Sequence, residues 1–296
     1  YYSMSECIFI GYQAGSSNQA DNNIGIGTGV LGHNISSTGN VGLGNSALGG
    51  LESGISNIAI GHAMTISASG DYNIAIGELA INGQQSGVHN VAIGYRSQST
   101  NYDGIHNTSV GSYTLQNSTN GMFNSAFGYA ALSAYLGGSH FNTAVGYRSL
   151  TSLTVGASNV AVGDSAAVNL YTGDFNVAIG YHALFGSGGT GCQYSRNVAV
   201  GADSLGNTST GIRNTGVGSN SLHNNTTGSY NIGIGYASSN NSTTGSEIIS
   251  IGHNAAYNNN SDNIIAIGVN SLYLHASGAS NIGIGPRANY GNQTGS

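Results

Sequence analysis

The sequence predicts an all-β fold, a parallel β-solenoid of about 17 coils of about 17 residues that forms a single repeat domain over residues 1–296. Three observations lead there. One short motif recurs along the chain, its spacing is too small for a helical repeat, and its residue types belong to strands and tight turns.

The motif is Asn-[Ile/Val]-[Ala/Gly]-[Ile/Val]-Gly. Its closing glycines are Gly11, Gly27, Gly44, Gly61, Gly77, Gly94, Gly111, Gly128, Gly146, Gly163, Gly180, Gly201, Gly218, Gly235, Gly252, Gly268 and Gly285, which makes 17 copies set 16, 17 or 18 residues apart with one gap of 21. The copy Gly173-Asp174-Phe175-Asn176-Val177-Ala178-Ile179-Gly180-Tyr181-His182-Ala183-Leu184 is close to ideal. A unit this short cannot bury a core alone and must stack on its neighbours. Helical repeats need two helices and more than about 30 residues. Two short strands and two tight turns fit instead: the branched residues favour strands, and the glycine favours a turn or a close backbone approach. Stacked laps lie about 4.8 Å apart.

Alternation along a strand places the branched residues on one face and the middle residue on the other. That middle position reads Gly25, Gly42, Ala59, Ala75, Ala92, Ser109, Ala126, Ala144, Ala161, Ala178, Ala199, Gly216, Gly233, Ser250, Ala266 and Gly283, with Phe9 the exception. Small residues in sixteen of the 17 copies imply a wall close by on that side. If Val and Ile fill the coil, the wall is another subunit, and Ala59, Ala75, Ala92, Ala126, Ala144, Ala161, Ala178 and Ala199 are the oligomer contact. If the small residues fill a narrow coil, the Val/Ile row is left exposed and needs a partner. Either geometry predicts an oligomer, because a long apolar stripe is an association surface.

The first motif position forms a second column: Asn23, Asn40, Asn57, Asn73, Asn90, Asn107, Asn124, Asn142, Asn159, Asn176, Asn197, Asn214, Asn231 and Asn281, with Cys7, Ile248 and Ile264 as exceptions. Stacked in register, these carboxamides are expected to hydrogen-bond from lap to lap as a structural ladder. His89 and His106 precede the motif Asn in adjacent laps and are expected to stack about 4.8 Å apart. Their column also holds Tyr72, Phe123, Phe175, Arg213 and Tyr230, so a mixed aromatic ladder is expected ahead of a metal site.

The recurring motif, as in Asn90-Val91-Ala92-Ile93-Gly94, resembles the head repeat of YadA-like trimeric autotransporter adhesins, over nearly all of the chain from about Cys7 to Asn289. The resemblance implies a left-handed parallel β-roll, three chains packed side by side as a homotrimeric rod, and a surface-displayed, extracellular role in cell adhesion. The partner it implies is a cell-surface or extracellular-matrix receptor or glycan. The family unit is a few residues shorter, so the turns here are longer. The continuation at Gly180–Leu184 is similar to repeats of phage tail fibres, which implies a receptor-binding virion tail fibre as the alternative. Stalk, neck and anchor are absent from the sequence. The start close to a motif, and the end at Ser296 without a cap, are what a fragment would show.

Composition narrows the rest. Charged residues are 5% of the chain, there is no lysine, and the five cations are Arg96, Arg148, Arg196, Arg213 and Arg287. Globular domains carry about a quarter charged residues. Yet 39% of residues are hydrophobic and 18 are tyrosines, which argues for order rather than disorder. A net charge of −6 without a basic cluster excludes nucleic acid as the expected partner. No apolar run is long enough to span a bilayer, and the opening residues carry no signal-peptide pattern.

No catalytic, cofactor-binding or metal-binding residues are expected, and the chain is not read as an enzyme. A hexapeptide-repeat acyltransferase would repeat its hexad three times per coil, whereas Ile179-Gly180-Tyr181-His182-Ala183-Leu184 carries it once. The Gly-x-Gly pairs, such as Gly25 with Gly27, are motif variants and not a dinucleotide fingerprint. Glycosidases need two carboxylates about 5–10 Å apart, and the 11 acids are scattered, with Asp71 and Asp174 six coils apart. An ice- or surface-binding solenoid lacks its aligned Thr-x-Thr column. Cys7 and Cys192 lie too many coils apart to pair within one chain. The four extra residues of the long gap, within Phe185–Tyr194, are expected to bulge as a loop. Tyr95, Tyr129, Tyr147, Tyr181 and Tyr194 are the candidate ligand contacts by stacking on sugars, the alternative being that they cover the coil surface. Asn-x-Ser/Thr triplets such as those at Asn34 and Asn117 follow from the composition.

Overall fold

The computed structural model describes residues 6–62, 69–83, 86–100, 102–134, 138, 140–187, 192–274 and 278–291. The chain forms two compact units, Tyr1–Asn142 and Thr143–Ser296. The first unit carries β1 (Ile8–Ile10), β2 (Ile24–Ile26), β3 (Val41–Leu43), β4 (Ile58–Ile60), β5 (Ile74–Ile76), β6 (Val91–Ile93), β7 (Thr108–Val110) and β8 (Ser125–Phe127). The second carries β9 (Thr143–Val145), β10 (Val160–Val162), β11 (Leu170–Thr172), β12 (Val177–Ile179), β13 (Cys192–Gln193), β14 (Val198–Val200), β15 (Thr215–Val217), β16 (Ile232–Ile234), β17 (Ile249–Ile251), β18 (Ile265–Ile267) and β19 (Ile282–Ile284).

Each unit is a parallel β-solenoid. Motif strands pair with the next lap in register: Ile58 opposite Ile74, Ala59 opposite Ala75 and Ile60 opposite Ile76 in the first unit, and Val160, Ala161 and Val162 opposite Val177, Ala178 and Ile179 in the second. A lap closes only between two successive strands, so the structure holds about 15 turns of about 17 residues, against the 17 coils expected from counting motifs.

Apart from β11 and β13, the described residues outside the motif strands form turns in which left-handed residues recur, in place of the second short strand expected in every lap. In the lap that ends at Gly218, φ is +55° at Asp203, +52° at Leu205, +58° at Arg213 and +127° at Gly218. Left-handed backbone costs a non-glycine residue about 1–2 kcal/mol, and lap-to-lap bonding offsets it. The Leu205 amide donates to Ser221 O at 2.9 Å, Asn207 to His223 O at 2.8 Å, and Asp203 back to Tyr181 O at 2.9 Å. Between them, Ser204 N donates to Gly201 O at 3.3 Å within the lap. The motif glycine is required for closeness as well as for φ. A Cβ on Gly94 would lie 2.6 Å from the carbonyl carbon and oxygen of Gly111.

The middle residue of every motif strand from β2 onward is buried, and its branched neighbours are half-buried or exposed. The narrow-coil geometry is therefore the one adopted. Ala59, Ala75, Ala92, Ala126, Ala144, Ala161, Ala178 and Ala199 are fully buried inside the lap, which corrects their assignment as oligomer contacts. Their wall is the opposite side of the same lap: a Cβ on Gly216 would meet Ser204 Oγ at 2.6 Å and the Leu205 side chain at 3.4 Å. Leu31, Leu48, Ile81, Leu115, Leu132, Leu150, Leu184, Leu205, Leu222 and Leu272 complete the interior.

The asparagine column stands at one corner of this interior. Asn57 donates its backbone N–H to Asn40 Oδ1 at 2.8 Å and its Nδ2 to the same oxygen at 3.1 Å, and to Gly70 O at 2.7 Å. The pattern repeats at Asn73 and Asn90 in the first unit, and in the second Asn176 N donates to Asn159 Oδ1 at 3.0 Å. Cys7 enters the column as an acceptor, taking the Asn23 N–H at 3.5 Å. Ile248 still donates its backbone N–H to Asn231 Oδ1 at 2.9 Å, and its side chain joins Ile264, Ala266 and Leu272 in an apolar cluster.

Candidate binding surfaces

In each unit the outward residues of the motif strands make two columns on one face. The second column is apolar at every motif strand, as at Ile60, Ile76 and Ile93 or Val162, Ile179 and Val200; the first is apolar except at Thr108, Ser125, Thr143 and Thr215. Ile60 is 38% exposed and Ile179 40%. A continuous apolar face of this kind on a water-exposed sheet marks an association surface.

A second surface is the column before the motif asparagine. In the first unit Tyr72, His89, His106, Phe123 and Phe141 stack with successive centroids 4.9, 4.9, 5.0 and 5.1 Å apart and interplanar angles of 3°, 1°, 14° and 5°. The expected ladder is therefore present, His89 on His106 included. Both faces of His89, His106 and Phe123 are covered by neighbouring rings, so these three offer edges to solvent and no open face on which a sugar could stack. In the second unit the Arg196 guanidinium lies over Phe175 at 5.7 Å, and Arg213 lies over Tyr230 at 5.1 Å.

The candidate ligand tyrosines fall into two groups. Tyr129, Tyr147 and Tyr181 are exposed and Tyr95 is half-buried. Tyr95 and Tyr129 both meet Tyr113 edge-on, at 5.3 and 5.7 Å, and Tyr181 stacks on His182 at 3.8 Å. Tyr194 is a correction. It is 1% exposed, its hydroxyl donates to Leu184 O at 2.6 Å, and burial, with Cys192 beside it as a lesser cause, pushes the phenol well above its usual pKa. At the far end of the long gap Cys192–Gln193 is a strand paired with Leu170–Thr172, and Tyr194 beside it is buried. Residues 188–191 of the gap lie outside the described residues.

A third surface had no counterpart in the sequence reading. In the second unit Ser187, Asn207, Asn224, Thr226, Asn241 and Thr243 line a shallow open trough of about 410 Å³. Its floor is a second carboxamide ladder, half-buried. Asn207 Nδ2 donates to Asn224 Oδ1 at 2.7 Å, Asn224 to Asn241 at 3.0 Å, and Asn241 to Asn258 at 2.8 Å. Beside it Ser209, Thr226 and Thr243 form a hydroxyl column, with Ser209 Oγ donating to Thr226 O at 3.0 Å and Thr226 Oγ1 to Thr243 O at 2.9 Å. The signal was available as the triplets Asn207-Thr208-Ser209, Asn224-Asn225-Thr226 and Asn241-Ser242-Thr243, which share one position relative to the motif glycine.

Three of the 11 acids bond structurally between laps. Asp71 Oδ1 accepts the Ile55 amide at 2.8 Å, Asp174 the Ala157 amide at 2.7 Å, and Asp262 the Ser246 amide at 2.8 Å, each from the preceding lap. Among the described residues no three His, Cys, Asp or Glu side chains converge, neither cysteine is in a disulfide, and no helix is long and apolar enough to cross a membrane. Comparison with models of protein families, with curated proteins and with solved structures finds no match.

Proposed function

We propose that this chain is a non-enzymatic segment of an extracellular fibre, built as a homotrimer and attaching a cell or a virion to its target by many weak contacts along the repeat. The observation that carries the proposal is the double column of outward, mostly apolar residues on the motif strands, half-buried or exposed within one chain. A partner for that face must present apolar groups at the same repeat of about 4.8 Å per lap, and a second copy of the chain does so by construction. The copy number of three and a left-handed winding come from the resemblance to YadA-like heads, with a tail fibre as the alternative setting. Multivalent attachment gains avidity without a deep pocket, which agrees with shallow, repeated surface features.

Sedimentation equilibrium tests it. The native chain is expected at three times 29.8 kDa. The triple variant Ile60→Glu, Ile76→Glu, Ile93→Glu, which places three carboxylates on the apolar face, is expected to sediment as a folded monomer. A native chain that stays monomeric at high concentration overturns the assembly.

A further inference from the structure

The trough on Asn207, Asn224 and Asn241 lies about half a lap from the apolar face: Thr226 is nine residues beyond Val217 in a lap of about 17. A subunit on the strand face leaves it open. It carries no charged residue. An anionic polymer has no cation to meet there. A peptide strand cannot add to it by main-chain pairing, because the local amides are used between laps: Asn224 N donates to Asn240 O, Thr226 N to Thr243 O and Asn241 N to Tyr257 O, each at 2.9 Å.

What remains is side-chain capacity. A carboxamide has two N–H donors and two acceptor lone pairs. In the ladder Asn224 and Asn241 each give one N–H to the next lap and accept one from the previous lap. Each lap therefore retains one donor and one acceptor, next to a threonine hydroxyl, repeating every 4.8 Å or so. Groups that both donate and accept, evenly spaced along a line, satisfy such an array.

We propose that the trough binds one strand of an uncharged, extended polysaccharide, laid along the stacking direction with about one sugar residue per lap. Its hydroxyls pair with Asn224 and Asn241, and the threonine methyl groups of Thr226 and Thr243 pack against the sugar ring edges. The recognition is by polar edge and not by aromatic stacking. This deepens the adhesive reading, supplying the ligand class for one surface, and rests on that reading only for the outward display of the trough.

The test is calorimetric titration of the full chain with a cello-oligosaccharide, a chito-oligosaccharide and an oligogalacturonate. At least one neutral oligosaccharide is expected to bind and the anionic one is not. Asn224→Ala with Asn241→Ala is expected to weaken binding by roughly tenfold or more, the loss of two or more neutral hydrogen bonds. Because two ladder members are lost there, Thr226→Lys serves as the second probe, covering the trough from a half-exposed position, and is expected to abolish binding. The Ile60→Glu, Ile76→Glu, Ile93→Glu variant is expected to retain the intrinsic affinity, so loss of assembly and loss of ligand are read separately. Absence of binding by any neutral oligosaccharide, or affinity unchanged in both trough variants, overturns the proposal. Slowed ice growth without glycan binding would assign the trough to ordered water and overturn it too.

Discussion

Replacing Asn90 with alanine removes more than one hydrogen bond. The side chain accepts the Asn107 amide at 3.0 Å and donates to Gly104 O at 2.6 Å and to Asn73 Oδ1 at 3.2 Å. The partners left behind are buried, and each unpaired buried group costs about 1–3 kcal/mol. Asn90→Ala is therefore expected to destabilise by about 3 kcal/mol, read as a lower urea midpoint. Tyr194 gives a pH signature. Its folded pKa is raised, so the unfolded chain loses the phenolic proton first, at about pH 10. The stability it supplies is present in full below that pH and is lost as pH rises toward the folded value. Tyr194→Phe leaves Leu184 O without its donor and costs about 1 kcal/mol at neutral pH. The gap between the native protein and this variant is expected to narrow in denaturation curves taken from about pH 9 to about pH 11.

At the scale of the strand, Ile60 is 38% exposed and Ile76 and Ile93 are partly exposed on the outward face, so a glutamate at each position can turn its carboxylate to water without entering the interior of the lap. Circular dichroism of the triple variant is expected to match the native chain while its mass falls, which separates assembly from folding. The period, the place of each motif strand and the turn at each glycine were legible in the sequence, because branched residues, glycine and a fixed interval constrain them independently; the strands Leu170–Thr172 and Cys192–Gln193, which no motif marks, were not. The facing was not. Alternation says only that Ala92 and its neighbours Val91 and Ile93 point opposite ways, and both orientations are chemically consistent. The choice is made by the residues three and four places after the glycine, such as Ser204 and Leu205, which leave no room for more than a methyl group opposite. The trough was hidden for a different reason: Asn-x-Ser/Thr is common in this composition, and only alignment of laps by their glycines puts Asn207, Asn224 and Asn241 in one column. Within the long gap, the burial of Tyr194 was equally hidden, because a tyrosine in a stretch rich in glycine and serine reads as a surface residue.

For the molecule as a whole, backbone bonding and close packing carry stability that charges do not. Among the described residues one ion pair is present, His182 with Asp203 at 3.6 Å, and both side chains are about one third exposed. Raising sodium chloride to roughly 1 M shortens the screening length to about 3 Å. The urea midpoint is expected to move by less than the equivalent of about 0.5 kcal/mol; a large downward shift would reveal charge networks that this structure does not contain.

Because every lap sets the same residues opposite the same residues, length is quantised. Duplication or loss of the DNA for one whole lap lengthens or shortens the protein by one step while each column simply gains or loses a rung. A change of half a lap would turn amides toward apolar cores and break every ladder beyond it. Such a gene can be tuned as a ruler by recombination between its own repeats, with reach altered and surface chemistry kept.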